Sequence, residues 1–530
     1  METVILQHID FTEGSLGPTG VSLTYLNCVP LQRYREYCNI NSVKVKLRFN
    51  GHCRVKFKHL FINKSVREEE INVDDYSEFI LYDGDLVIIE PIQPSSNLKG
   101  TVEADVSNKR AIALEHVVCT YHRENVIYKK ASLFSSAYIQ NYHMTIVDNG
   151  STLDSMNSPL IEVIKMPNLG GSSGFTKGII AGLNRGSTNI LLNDDDALMY
   201  PESVFRITQF LSLISDIYVD SIISGIYLEV NNPNIIRETG GFFDRGLLTL
   251  CNEGLDVRIE EDLISILANE TANYSAWTCC CIPSTIIQRT RFPLPMFIRF
   301  DDTEYGLRLK KRVISIPGVS TWHPVSKSYP LSYCYYDIRN NLITLSCLNE
   351  LDCVSINNTF NRIMCEIVAY RYDCAEEMLK GVKDFIKGPD FVFNCCKEGM
   401  RSINISYQGN SNDLRRQLKY KRETTVLSKT IRKKTMNGLF LPSVGDIELN
   451  RCETETKYYY RVGKVLYSFD NGMGIIKARS LIQSIVMTIK SLVVKRILIK
   501  QMKKLDKLYE EAIVKYSSQE HWQQLWNEKL

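Results

Sequence analysis

With 530 residues and 44% hydrophobic side chains, the chain can bury more than one core, and its length points to about three domains. A net charge of +3 is too small to mark a nucleic-acid binder, and no nucleic-acid partner is expected. The 16 cysteines include the contiguous Cys279-Cys280-Cys281 and Cys395-Cys396, spacings that suit neither a disulfide framework nor a CxxC zinc pattern, so reduced thiols in a cytosolic compartment are expected.

The opening Met1-Glu2-Thr3-Val4 lacks the charged and apolar regions of a secretory signal. Residues 1–108 then alternate apolar and polar side chains. Val43-Lys44-Val45-Lys46-Leu47-Arg48-Phe49 leads to Asn50-Gly51 and on to Arg54-Val55-Lys56-Phe57, a hairpin signature. Phe79-Ile80-Leu81 and Leu86-Val87-Ile88-Ile89 repeat the theme across Asp83-Gly84-Asp85, and the segment reads as a separate antiparallel β-sandwich.

From Ala111 the texture changes to strand and helix in alternation. Strands are expected over Ala113–Cys119, Met144–Val147, Ile161–Ile164 and Ile190–Leu192, which implies a largely parallel sheet covered by helices in an α/β domain of residues 109–345. In such sheets the ligand lies beyond the carboxyl ends of the strands. Four polar segments fall there. Thr120-Tyr121-His122-Arg123 offers a hydroxyl, a stacking face and a fixed cation, a set suited to a nucleotide and its phosphates. Asp148 offers a carboxylate to a base or ribose. Asn168-Leu169-Gly170-Gly171 begins a glycine-rich loop that is neither a Walker loop nor a GxGxxG fingerprint. Asp194-Asp195-Asp196 ends the fourth strand. Three adjacent carboxylates repel one another, so a divalent cation such as Mn²⁺ or Mg²⁺ suits them, although the same triplet also suits a solvated turn that caps the helix near Pro201.

Farther on, Phe300-Asp301-Asp302-Thr303-Glu304 places three acids at the start of a helix, where they serve either as bases or as complements to the helix dipole. Trp322-His323 follows. Beyond residue 345 helical signals take over, and residues 346–530 read as a helical region with basic segments. Leu414–Thr435 carries Arg415, Arg416, Lys419, Lys421, Arg422, Lys429, Arg432, Lys433 and Lys434 against Glu423. Ile482, Ile485, Val486, Ile489, Leu492, Val493 and Ile497 recur at helical spacing among Lys490, Lys495, Arg496 and Lys500. The uncharged stretch is too short to span a bilayer. Its apolar stripe suits either an anionic membrane surface or the protein's own core.

Taken together, Pro167-Asn168-Leu169-Gly170-Gly171, Asn193-Asp194-Asp195-Asp196, Trp277-Thr278-Cys279, Phe300 to Arg308, Pro317-Gly318, Trp322-His323 and Arg339-Asn340 resemble the galactofuranosyltransferase group of family 2 glycosyltransferases. Thr24-Tyr25-Leu26-Asn27 resembles the opening of that group's β-sandwich. The resemblance covers most of residues 20–345. It implies a GT-A fold, a UDP-galactofuranose donor, transfer with inversion, and a divalent metal held by Asp194, Asp196 and His323. It further implies Asp302 as the base and Asp301 as the residue that orients the acceptor or the base. Thr120, Tyr121, Arg123, Asp148, Asn168, Gly170, Gly171 and Asp195 would bind the nucleotide sugar, and Trp277, Phe300 and Glu304 the acceptor. Phe300 stands where the group carries a tryptophan, and Ala276 replaces the first of a tryptophan pair.

The expected role is extension of a cell-surface or lipid-linked glycan by a cytoplasmic enzyme held peripherally at the inner face of the membrane, with homo-oligomers allowed. Two alternatives stay open: a rhamnosyltransferase using dTDP-rhamnose, and a non-enzymatic carbohydrate-binding module with a structural Ca²⁺.

Overall fold

The computed structural model describes residues 1–93, 97–135, 138–156, 158–325, 331–394, 408–419, 429–435, 437–449, 456–469 and 471–527. Cys395, Cys396, Lys421, Arg422 and Glu423 lie outside these residues.

The first region holds β1 (Glu2–Asp10), α1 (Leu23–Leu26), α2 (Leu31–Cys38), β2 (Val43–Leu60), β3 (Val66–Leu81), β4 (Leu86–Pro91) and β5 (Lys99–Val106). The alternation seen in the sequence produces antiparallel pairing throughout, but into one five-stranded sheet of order β1-β5-β2-β3 with β4 also on β2. Two facing sheets were expected. Instead the inward side chains of this sheet join the core of the next region. Val4, Val45, Phe57 and Val102 share one buried cluster with Phe205, Ile207, Phe210 and Leu211 of a following helix and with Leu114 and Val118 of the next sheet.

The second region runs β6 (Leu114–Thr120), α3 (Glu124–Phe134), β7 (Tyr142–Asp148), β8 (Ile161–Lys165), α4 (Gly171–Asn184), β9 (Asn189–Asp194), β10 (Leu198–Met199), α5 (Pro201–Leu213), β11 (Ile222–Glu229), β12 (Ile236–Glu238), β13 (Gly241–Asp244), β14 (Leu247–Leu250), α6 (Glu260–Ala268), β15 (Cys280–Pro283), α7 (Ser284–Thr290), α8 (Asp301–Leu309) and β16 (Val313–His323). Its mixed sheet has the order β10-β16-β11-β15-β9-β6-β7-β8. Strands β6, β7, β8 and β9 are parallel; β6, β7 and β9 carry the near-continuous apolar runs that burial on both faces requires, while β8 is the partly exposed edge. β15 lies antiparallel to β9 and β11.

A buried arginine ties the first two regions together. Arg206 of α5 donates Nε to Glu202 at 2.8 Å, Nη1 to the carbonyls of Leu26 (2.7 Å) and Gly318 (3.2 Å), and Nη2 to that of His8 (3.0 Å). Gly318 sits at φ +83°, and a Cβ there would come within 2.5 Å of Arg206 Nη1. The Pro317-Gly318 and Tyr25 motifs are therefore parts of one seam, which Tyr25 completes through its hydroxyl bond to Ser320 at 2.7 Å.

The third region holds α9 (Leu331–Cys347), α10 (Cys353–Val368), α11 (Tyr372–Ile386), α12 (Pro389–Asn394), β17 (Gly409–Asn410), α13 (Ser411–Arg415), α14 (Lys429–Lys434), β18 (Gly445–Leu449), β19 (Val462–Ser468), β20 (Met473–Ala478), α15 (Leu481–Tyr516) and α16 (Gln519–Asn527). A four-stranded sheet, β17-β20-β19-β18, interrupts what the sequence presents as helical. Its strands run to 2, 5, 7 and 6 residues, too short for alternation to stand out among the helical signals. The chain end returns to the second region. Trp522 Nε1 donates to the Pro293 carbonyl and Trp526 Nε1 to Ser173 Oγ, both at 3.0 Å. We propose 1–108, 109–345 and 346–530 as topological divisions rather than independently folding units.

Candidate active site

Strand β9 lies between β6 and β15, and every residue from Asn189 to Asn193 is buried, so carboxylates can emerge only where the strand ends. Asp194 N donates to the Trp277 carbonyl at 2.9 Å, and the chain doubles back as β10 against β16. That register sets Leu198 opposite Trp322 and brings His323 to the aspartates. His323 Nε2 lies 2.8 Å from Asp196 Oδ1, while its Nδ1 meets the Tyr227 hydroxyl at 3.1 Å, which fixes the ring.

Cations surround this loop. Arg123, at the start of α3, bonds the other oxygen of Asp196 and lies 3.3 Å from Asp195. Thr120 donates to Asp195 Oδ2 at 2.8 Å. Lys130, buried on α3, donates to the Asn193 side chain and to the carbonyls of Asp194 (2.6 Å) and Ala197 (2.9 Å). Burial pushes the Lys130 ammonium down to about 8 despite the nearby aspartates. Burial, with Asp196, Asp195 and Asp302 close by, pushes Asp194 up to about 6 against the pull of His323. Asp196 behaves oppositely. Burial would raise it, but hydrogen bonds from His323 and Arg123 hold it well below the usual carboxylate range.

The second acidic group begins α8. Phe297, Arg299 and Phe300 all have left-handed backbones, φ +75°, +68° and +63°, an arrangement that costs on the order of 1 kcal/mol or more per residue and must be imposed by neighbours. The Arg339-Asn340 motif of α9 imposes it. Asn340 Nδ2 donates to the carbonyls of Ile298 and Arg299, each at 2.8 Å, and Arg339 Nη2 to that of Met296 at 2.7 Å. From the other side, a Cβ at Gly170 (φ +89°) would stand 2.1 Å from the Phe297 carbonyl oxygen, and one at Gly171 would stand 3.4 Å from Asp301 Oδ2. Glycine is thus required at 170, while a Cβ at 171 would make only ordinary contact with the acids. Asp302 Oδ1 accepts from Thr303 N (2.6 Å) and Oγ1 (3.1 Å). Burial raises the proton affinity of Asp301, and the Asp302 charge raises it further. Asp302 is also raised by burial, which outweighs its bonds to Thr303 and the field of Arg299.

The strand ends thus gather Thr120, Arg123, Asp194, Asp195, Asp196, His323, Asp301 and Asp302, with Gly170 and Gly171 beside them. Tyr121 stands on the rim, 49% exposed, with its ring 4.1 Å from that of His122. Other expected residues serve differently. Asp148 is buried and both its oxygens are taken by backbone amides, Gly150 N at 2.9 Å and Leu153 N at 2.7 Å, so it shapes its own loop. Asn168 likewise accepts from Gly170 N at 2.9 Å. The three acceptor candidates are buried. Trp277 packs against Phe175 and contributes its carbonyl to Asp194, and Phe300 packs edge-on to Phe243. Glu304 is paired with Arg308 one helical turn on, at 2.6 Å.

Three participants escaped the sequence reading: Lys130, Tyr227 and Glu238. Lys130 had a signal, being a lysine on the face of α3 that Ile127, Ala131 and Phe134 bury. Glu238, pushed up to about 7 by burial and by the neighbouring Asp302, sits in a segment without a motif.

Among the described residues no three His, Cys, Asp or Glu side chains converge as a metal-holding group. The expected trio is a contacting pair, Asp196 and His323, with Asp194 adjacent in sequence, and Arg123 takes the oxygen of Asp196 that His323 leaves. The chemistry of the pair still fits a divalent ion: 2.8 Å is close to the ~3 Å ligand-to-ligand edge of an octahedron with bonds of about 2.1 Å.

No family model matches the chain. It is 22% identical over 267 residues to the galactofuranosyltransferase GlfT2 of Mycobacterium tuberculosis, covering 46% of this chain and 41% of that one. To GlfT2 of Mycolicibacterium smegmatis it is 23% identical over 270 residues, covering 46% and 40%. The match thus spans less than half the length of either relative. Among solved structures, a mannosyltransferase from Pyrobaculum calidifontis in complex with GDP-Man and Mn²⁺ aligns at 11% identity over 54% of this chain and 79% of that one, with a TM-score of 0.31, a likeness too slight to bear on fold or ligand. By sequence, this chain is similar over nearly half its length to the mycobacterial galactofuranosyltransferases.

Proposed function

We propose that the chain is an inverting, metal-dependent glycosyltransferase that moves a hexofuranose, galactofuranose favoured, from a UDP-sugar to a hydroxyl of a growing cell-surface glycan. One observation carries the reading. Two acidic groups meet beyond the carboxyl ends of the strands: Asp194-Asp195-Asp196, threaded by Arg123, Lys130 and His323, and Asp301-Asp302, set against the loop at Gly170 and Gly171. The first is lined with cations, as a pyrophosphate site needs; the second has raised proton affinity, which strengthens it as a base once ionised.

Tyr121 offers its exposed ring to the base, and Arg123 supplies a guanidinium to the diphosphate. Asp194, Asp196 and His323 are the residues that would hold Mn²⁺ or Mg²⁺, which when bound neutralises charge on the leaving diphosphate. Asp302 accepts the proton of the acceptor hydroxyl. The oxygen attacks the anomeric carbon as the bond to the diphosphate breaks, its electron pair leaving with the diphosphate, and the configuration inverts. Asp301, sharing the same buried pocket, orients the acceptor or the base.

The test is transfer from UDP-galactofuranose and dTDP-rhamnose onto short synthetic galactans, with calorimetry of UDP binding with and without Mn²⁺. Transfer from the furanose donor is expected. Exclusive use of dTDP-rhamnose would reassign the donor. Glycan binding without UDP binding would mark a non-enzymatic module.

A further inference from the structure

Helix α15 turns the wrong side outward for a helix that serves only its own protein. It packs on the third region through Ser484, Met487, Ser491, Val494, Leu498, Leu505 and Tyr509. The strongest apolar stripe of its sequence faces solvent instead: Ile482 is 76% exposed, Leu492 58%, Ile489 57% and Val493 53%, with Leu481, Ile485, Val486 and Ile497 also exposed. At 100° per residue these eight side chains fall within one face, and at 1.5 Å per residue they extend for about 24 Å. The face then changes chemistry without changing direction. Arg496, Lys500, Lys503, Lys504 and Lys507 occupy the same angular sector over the following three turns, and all are exposed. Lys507 is partly engaged by Glu511, at 3.8 Å. Exposed Phe440 and Leu441 extend the apolar end, since Arg479 Nη1, just before the helix, donates to the Leu441 carbonyl at 2.8 Å.

We propose that this face of α15 is a docking surface for an anionic lipid bilayer, with its first half inserted among the acyl chains and its second half set against the headgroups. Two observations favour lipid over a protein. The inserted row is wholly aliphatic over about 24 Å, with no polar side chain that an acyl interior would leave unsatisfied. The cationic run follows the apolar one along a single line, a pattern that a planar surface with a charged skin and an apolar interior complements. The inference is independent of the donor sugar and of the chemistry at Asp302.

The full chain is to be sedimented with vesicles of phosphatidylcholine alone or mixed with phosphatidylglycerol, at low and high salt. Two variants accompany it, Ile482→Ser/Ile489→Ser/Leu492→Ser and Arg496→Gln/Lys500→Gln/Lys503→Gln. All six positions are exposed, and an unchanged melting temperature verifies the fold. The parent chain should bind the anionic vesicles selectively. The serine variant should lose roughly tenfold or more of that binding, and the glutamine variant should lose binding and most of its salt dependence. Equal binding to both vesicle types, or undiminished binding by the serine variant, overturns the proposal. So does a parent dimer that the serine variant converts to monomer, which would assign the face to a second copy of the chain.

Discussion

The acidic groups at the strand ends are built from the same residue, yet one member behaves opposite to the rest: Asp196 is held below the usual carboxylate range, whereas Asp194, Asp195, Asp301 and Asp302 are all raised. Asp194-Asp195-Asp196 is interleaved with Arg123, Lys130 and His323, and Asp196 is held strongly ionised. Asp301 and Asp302 stand half-buried side by side, and Arg299, whose field reaches Asp302, is paired with Asp337 at 2.7 Å, so both hold protons more tightly than free carboxyls do. Burial alone therefore does not decide what a carboxylate does. Its counter-charges do, and here they divide the labour between gripping a charged ligand and exchanging a proton.

The sharpest way to break this comparison is Asp302→Asn. Transfer should fall by about 10³-fold, within the range for a general base, while calorimetry shows UDP and Mn²⁺ still bound. Retained transfer would remove the base assignment. His323→Ala strikes the other group: Mn²⁺-dependent UDP binding should weaken by about 100-fold, and Tyr227→Phe, which only frees the ring, by about tenfold. Gly170→Ala tests the join between loop and acids. Its Cβ meets the Phe297 carbonyl, so the variant should lose on the order of 2 kcal/mol in a denaturant titration and lose kcat more than UDP affinity.

The smallest effect is on pH. Because the Asp301–Asp302 pair titrates above the ordinary carboxylate range, transfer should rise with pH through a limb displaced upward from that of an exposed aspartate. Stability moves the other way. The folded pair binds protons more tightly than the unfolded chain, so its contribution is greatest below the unfolded value and declines as pH rises toward the folded one. Asp301→Asn should therefore raise Tm at pH 8 more than at pH 5, as calorimetry at the two pH values would reveal.

Much of this arrangement was legible in the sequence because strand ends advertise themselves. An apolar run that stops at three aspartates, or a glycine-rich loop before a helix, places its residues in an α/β sheet with few alternatives. The partner residues were harder to see. Glu304 reads like its neighbours Asp301 and Asp302 until helical spacing brings it to Arg308, and Trp277 reads as a contact surface until Phe175 covers it. The cover of the first sheet is silent for a similar reason: alternation reports which face is buried and says nothing of what covers it, here α5 and the neighbouring sheet. The outward turn of α15 is equally silent in its own sequence, since it depends on which of two usable faces the neighbouring helices take.

The Arg206 seam also bears on inheritance and engineering. The guanidinium draws two of its three carbonyl partners from the first region, and α5 lends that region's sheet its buried aromatic face. A protein begun near residue 108 would leave the Arg206–Glu202 pair without the Leu26 and His8 carbonyls that accept from the guanidinium and would uncover Phe205 and Phe210, and its inactivity would report collapse rather than chemistry. Swapping amino-terminal halves between relatives would succeed only if α5 and the turn at Gly318 travelled with the sheet they serve.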